Sequence, residues 1–328
     1  GFMPWLAMTA FIHSIMVQKR RGMFRMWNLA LIIIAFAFAQ FGMFINRGGP
    51  VPSVHSFGQS TLGWVFLVFM GSTLLFSFGL FFLRYNSLKS AQNLESAISR
   101  EASFLINNLL FLTIAFVTLW GVIYPIVSEL TQGETITVGQ PFYNQVNGPL
   151  FLALIFLMGV APFLPWRHAS WTNLRRALMI PVLVSIMVAG LLVISGVNKP
   201  YAVLAFALCS MVASGIIREW LLGAHSRHKR GENYPIALIR LLASNRPRYG
   251  GYIVHLSVVL LALGITGSSF YGIQTDVSLY PSETTNVGRY TVKYITSNVL
   301  QKSDRTESTA EVQVFRGDQF LGTYYPRR

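Results

Sequence analysis

Charge is scarce in this chain. Only 12% of its 328 residues are charged against 53% hydrophobic, and acids are scarcer than bases, with 12 Asp and Glu to 26 Lys and Arg. A soluble domain normally carries about 25% charged residues, so an ordinary soluble fold is excluded. Cysteine is almost absent. The single Cys209 lies in an apolar run, which excludes a disulfide within the chain and any CxxCH haem-attachment motif, and leaves a small packing residue. A start methionine and a signal peptide are also missing. The chain opens on Gly1-Phe2-Met3 inside an apolar stretch and ends on Arg327-Arg328 just after a strand-like segment. It reads as an internal piece of a longer protein, truncated at both ends.

What is present is a series of long charge-free runs. About 20 apolar residues span a hydrocarbon core at about 1.5 Å per residue. The runs are continuous rather than alternating, so helices and not a barrel satisfy the backbone in lipid. The expected fold is an all-α polytopic membrane protein of about eight transmembrane helices. The spans are Gly1–Val17, Met26–Ile45, Thr61–Leu83, Ser103–Val127, Gly148–Leu164, Ala177–Val197, Tyr201–Leu222 and Gly250–Phe270. Residues 1–270 form the transmembrane domain and 271–328 a β-rich segment. In that segment Tyr290–Ile295, Glu311–Phe315 and Phe320–Tyr325 read as strands, with a hairpin turn at Arg316–Gln319. Ser128–Asn147 and the basic stretch Gly223–Arg248 read as loops.

The net charge of +14 does not point to nucleic acid, because of where it lies. The loops after spans one, three, five and seven hold 4, 3, 3 and 6 Lys and Arg, against 1, 0 and 1 after spans two, four and six. The positive-inside rule puts the first set in the cytoplasm, where it meets anionic lipid headgroups. His55 and the β segment then face the opposite side. That side is the periplasm if the membrane is a bacterial inner membrane, and the intermembrane space if it is mitochondrial.

Six histidines carry what chemistry is legible. His168, His225 and His228 fall in basic loops and read as solvated. His13 lies six residues before Lys19 in the first span, and His255 seven residues after Arg248 in the eighth. Both therefore lie roughly 10 Å inside the same boundary, although their helices run in opposite directions. Intramembrane ionisable residues are costly and usually functional. Two at equal depth suit one haem with two axial histidines. Two separate histidines hydrogen-bonded across helices are the plainer alternative. His55 sits in the half-apolar loop NRGGPVPSVHSFGQS. Gln40, Asn107 and Asn108 read as interhelical hydrogen-bond partners, and Arg218 and Glu219 as a snorkelling helix end.

The runs MPWLAMTAFIHS, RGGPVPSVHSF, SREASFLINNLLF, TVGQPFYNQ and RYGGYIVHLSVVLLALGITGSS occur in this order. Together with the β segment they resemble the CcmF family (CcmF/CycK/CcsA), the haem lyases of system I cytochrome c maturation. The resemblance runs from about Met3 to the end. It implies a b-type haem (haem b) held in the membrane by His13 and His255, with His55 as one periplasmic ligand of a delivered haem. It implies partners as well: the haem chaperone CcmE, the apocytochrome carrier CcmH, apocytochrome c, quinol and membrane lipid. The implied reaction joins haem vinyls to the two CxxCH thiols, with iron reduction by quinol. No catalytic residue in this chain is assigned. A second periplasmic histidine, a tryptophan-rich segment and a last helix expected of the family are absent from the sequence. A secondary transporter and a b-haem quinol oxidoreductase subunit are the alternatives. The first would show inverted repeats, and the second would usually need two haem sites.

Overall fold

The computed structural model describes residues 1–48, 62–90, 92–168, 170–301 and 306–327. Ten α-helices are found there: α1 (Phe2–Arg21), α2 (Arg25–Gly48), α3 (Leu62–Leu83), α4 (Tyr85–Leu88), α5 (Arg100–Gln132), α6 (Gln140–Val160), α7 (Trp171–Ile194), α8 (Pro200–His228), α9 (Tyr234–Ser244) and α10 (Arg246–Tyr271). Four strands follow: β1 (Thr284–Val287), β2 (Tyr290–Gln301), β3 (Thr306–Arg316) and β4 (Gln319–Tyr324). The chain divides into two compact units, Gly1–Leu263 and Gly264–Arg328.

The protein is a multi-pass membrane protein. Among the described residues seven helices are long and apolar enough to cross a bilayer, namely α2, α3, α5, α7, α8, α10 and α6 with its 3₁₀ extension Ala161–Phe163. α1 has 20 residues but is less apolar, since it ends on Gln18 and three basic residues. Those bases lie where the helix exposes its last carbonyls and favours positive charge. Its close follows from Gly22, whose φ of 68° and backbone bond to the Gln18 carbonyl form a left-handed cap.

Small residues bring the spans together, as expected where lipid removes the hydrophobic drive between helices. α8 is the most buried span, through Ala202, Ala205, Ala207, Cys209, Val212, Gly215 and Ile216. It packs on α6, α7 and α9. A second cluster joins Leu6 and Ala10 of α1 to Leu31 of α2 and to Phe111, Ile114 and Ala115 of α5. A Cβ added to Gly63 would lie 2.6 Å from the Gly48 Cα, a backbone atom that cannot swing aside. Gly63→Ala is therefore expected to cost about 1–3 kcal/mol by overpacking. A lowered unfolding temperature in detergent would read this, and an unchanged one would contradict it.

Several boundaries differ from the sequence expectation. The segment Gly223–Arg248 is largely helical rather than a loop, because α8 continues to His228 and α9 follows. α9 buries Ala237 and Leu241, the two residues four apart that fall on one face. Ser128–Asn147 is also mostly helix, at the end of α5 and the start of α6, with a break near Gly133 (φ 73°). α5 starts earlier than expected, because the Ser99 side chain accepts a hydrogen bond from the Ala102 amide and caps it.

Within the second unit the four strands form an antiparallel meander in the order β1-β2-β3-β4. β2 and β3 are longer than expected and β1 is an additional strand. Both short turns use a glycine at positive φ, Gly288 at 62° and Gly317 at 58°, as two-residue hairpins require. No described side chain beyond residue 271 is fully buried, so the sheet has no core of its own.

Candidate functional site

α1 and α10 bring the rings of His13 and His255 close together. The ring centres are 6.2 Å apart and the ring planes 9° from parallel. The two residues are 242 positions apart in sequence, and among the described residues no ion pair or hydrogen bond joins α1 to α10 beside them. Nor do the two helices belong to the closely packed backbone pairs. The rings meet across a gap that side chains bridge.

Local structure fixes the His13 ring. Its Nδ1 lies 2.8 Å from the Thr9 carbonyl oxygen one turn earlier. A carbonyl only accepts, so Nδ1 carries the proton and Nε2 presents its lone pair. Phe104 and Phe111 of α5 flank the ring, at 6.0 and 6.4 Å between centres. They are seven residues apart and so share one helix face. His255 differs. Its Nδ1 is buried and has no hydrogen-bond partner among the described residues. One turn before it, a Cβ added to Gly251 would meet nothing within 4 Å.

The remaining histidines lie elsewhere. His168 is 3.5 Å from Glu95, His225 bonds the Tyr234 hydroxyl at 3.0 Å, and His228 stacks on Tyr234. His55 lies outside the described residues. Gln40 accepts from Thr73 of α3 at 2.9 Å, an interhelical bond. Asn108 does not follow that expectation, since both its amide atoms are buried without a partner among the described residues. Glu219 contacts Arg218 at 3.6 Å and also pairs with Arg248.

Thr9, Phe104 and Phe111 were not singled out from the sequence. Thr9 had a signal, since it precedes His13 by four residues and so offers its carbonyl to the ring. The two phenylalanines had only a helical spacing that ordinary packing shares. Among the described residues no group of three or more His, Cys, Asp or Glu could hold a metal ion alone. A metal on this histidine pair would need its remaining ligands from another molecule.

No family model matches the chain. It is similar to the cytochrome c-type biogenesis protein CcmF of Haemophilus influenzae, 30% identical over 300 residues, covering 90% of this chain and 45% of that protein. It is also similar to CcmF of Pseudomonas aeruginosa, 31% identical over 338 residues, covering 100% of this chain and 49% of that one. A solved structure, the cytochrome c haem lyase CcmF, aligns with a TM-score of 0.70 and 28% identity over 99% of this chain and 47% of that one. The chain thus spans about half the length of the relatives it matches. Motif order, transmembrane architecture and these likenesses agree: the chain belongs to the CcmF family.

Proposed function

We propose that this chain is the membrane-haem half of a cytochrome c haem lyase and serves cytochrome c biogenesis. The observation that carries the reading is the parallel His13–His255 pair at 6.2 Å. Two imidazoles sharing one metal, each bound at about 2 Å, stand with their ring centres roughly 6 Å apart. The unpartnered His255 Nδ1 supports a site shaped for a ligand rather than a closed core. His13, through Nε2, and His255 would hold the iron of a haem b. Such a haem supplies one-electron transfer at the membrane. The chain's own residues do the rest. The Thr9 carbonyl fixes the His13 tautomer and keeps its ring from rotating. Phe104 and Phe111 exclude water from that ring and hold its angle.

In this reading residues 1–270 lie in a bacterial inner membrane, or its mitochondrial counterpart, and 271–328 are periplasmic. CcmE delivers haem and CcmH presents apocytochrome c on that face, and quinol reduces the membrane haem. His55 would ligate the delivered haem on the periplasmic face. His55→Ala is expected to lower cytochrome c maturation while leaving the membrane haem spectrum intact, and loss of that spectrum would refute a two-site division. Cysteine labelling at His228 and Tyr290 is expected to place them on opposite sides of the membrane, and a shared side would refute the orientation. The function itself is tested by complementation of a strain lacking its lyase with the full-length protein, wild type against His13→Ala. Full maturation by the variant would overturn the reading.

A further inference from the structure

Three arginines form a layer beneath the histidine pair. Arg20 follows His13 by seven residues on α1, and Arg248 precedes His255 by seven on α10. Seven residues are close to two turns, so each arginine stands on its own histidine's face, roughly 10 Å toward the C-terminus of α1 and the N-terminus of α10. Arg100 opens α5 one turn before Phe104, whose ring lies 6.0 Å from His13. The Arg20 and Arg100 guanidinium carbons lie 4.9 and 5.4 Å from the centre of one ring, Trp166. Arg100 and Arg248 line a common cavity of about 430 Å³, together with Leu164, Asn173 and Glu219.

The charges in this layer do not cancel. Arg248 pairs with Glu219 and donates to the Tyr252 hydroxyl at 3.2 Å. Arg100 donates only to carbonyls, those of Leu164 at 2.9 Å and Pro162 at 2.6 Å. Among the described residues neither Arg20 nor Arg100 is ion-paired with a carboxylate. Arg100 is half-buried while Arg20 and Arg248 are exposed, so their guanidiniums stay open to an anion from outside the chain. The Trp166 platform and the carbonyl bonds hold the guanidiniums in place, which lowers the cost of ordering them on a ligand.

We infer that Arg20, Arg100 and Arg248 form an anion clasp for the two carboxylates on the rim of the porphyrin held by His13 and His255. This rests on the ligand reading above. A porphyrin carries its iron at the centre and its two acid arms on one edge, so it needs ligands at one depth and cations beyond that edge. Histidines at one depth and arginines two turns below supply that arrangement. The arginine fork suits a carboxylate better than a lysine point charge does. A phospholipid phosphate offers similar chemistry at the membrane surface. The shared helix faces of each arginine and its histidine favour the porphyrin.

The test uses the full-length protein stripped of haem in detergent and titrated with haemin or with haemin dimethyl ester, whose carboxylates are masked. The expected result is that R20Q, R100Q and R248Q each weaken haemin binding by about tenfold, the scale of one charge-assisted hydrogen bond, and leave ester binding unchanged. R248K should keep part of the preference for the free acid, which a variant that merely misfolded would not. An unchanged haemin-to-ester ratio in all three glutamine variants overturns the clasp. So does a fall in co-purified phospholipid phosphorus with that ratio unchanged, which assigns the layer to lipid headgroups. Wild-type protein without a bis-imidazole spectrum, or His13→Ala keeping one, would instead overturn the ligand reading.

Discussion

Replacing His13 or His255 by alanine is expected to remove the b-type visible spectrum of the purified protein. The ring centres lie 6.2 Å apart, so each change would leave a shared iron with one imidazole and an apolar gap opposite. Phe104 and Phe111 beside His13 offer no substitute ligand. Partners that act on a metal only through its ligands are worth roughly 10–100-fold in affinity, so losing a ligand should cost more than that. Haem content per chain and the reduced-minus-oxidised spectrum measure the loss. Added imidazole should restore part of the His13→Ala spectrum, because the vacated space has the shape of the ring. His225→Ala, near the end of α8, should change neither quantity. Full haem content in both alanine variants would remove the basis for a shared ligand pair.

The second large effect concerns stability. Glu101 is 2% exposed at the start of α5. Its two carboxylate oxygens accept from the Arg167 backbone amide at 3.1 and 3.2 Å, and Arg21 Nε of α1 lies 3.2 Å away. The Arg21 contact is electrostatic rather than a well-aligned hydrogen bond, since that Nε has no hydrogen-bond partner. Arg167 has a φ of 71°, a left-handed geometry that a bulky residue adopts only when held. Glu101→Ala would leave a buried guanidinium without its buried partner and an amide without an acceptor. Arg21 keeps Glu95 as a partner, so the loss is about 1–3 kcal/mol, the cost of a buried group left unsatisfied. Glu95, which also meets Arg21 at 2.5 Å, is 41% exposed at its side chain and should matter far less. Thermal unfolding in detergent is expected to fall steeply for Glu101→Ala and only slightly for Glu95→Ala. Equal effects would contradict the assignment of Glu101 as the buried keystone of this end of the helices.

How much of this was legible depends on the signal each element sends. The long apolar runs announced the spans, because lipid demands continuous hydrophobicity over about 20 residues. Their ends were less clear. Ser99 is a strong cap, but Arg100 and Glu101 follow it, and charge reads as loop. α9 failed for a related reason, as its 11 residues are set among Arg227, Lys229, Arg230 and Arg246. β1 is four residues, Thr284–Val287, too short to carry a pattern alone. At the site the histidine pair was readable from distances to Lys19 and Arg248, because helix rise converts sequence spacing into depth. What depth could not supply was azimuth, the face each ring takes. The role of Trp166 was illegible too, since nothing in its sequence neighbourhood says that two arginines from α1 and α5 will meet on it.

The central claim is that one iron joins α1 to α10 through His13 and His255. Near-infrared magnetic circular dichroism of the ferric full-length protein tests it most directly, because the low-spin charge-transfer band reports both axial ligands at once. The account predicts a bis-imidazole band at one haem per chain, lost in His13→Ala and in His255→Ala alike. A colourless protein, a high-spin ferric signal, or a bis-imidazole band that survives either substitution would contradict it.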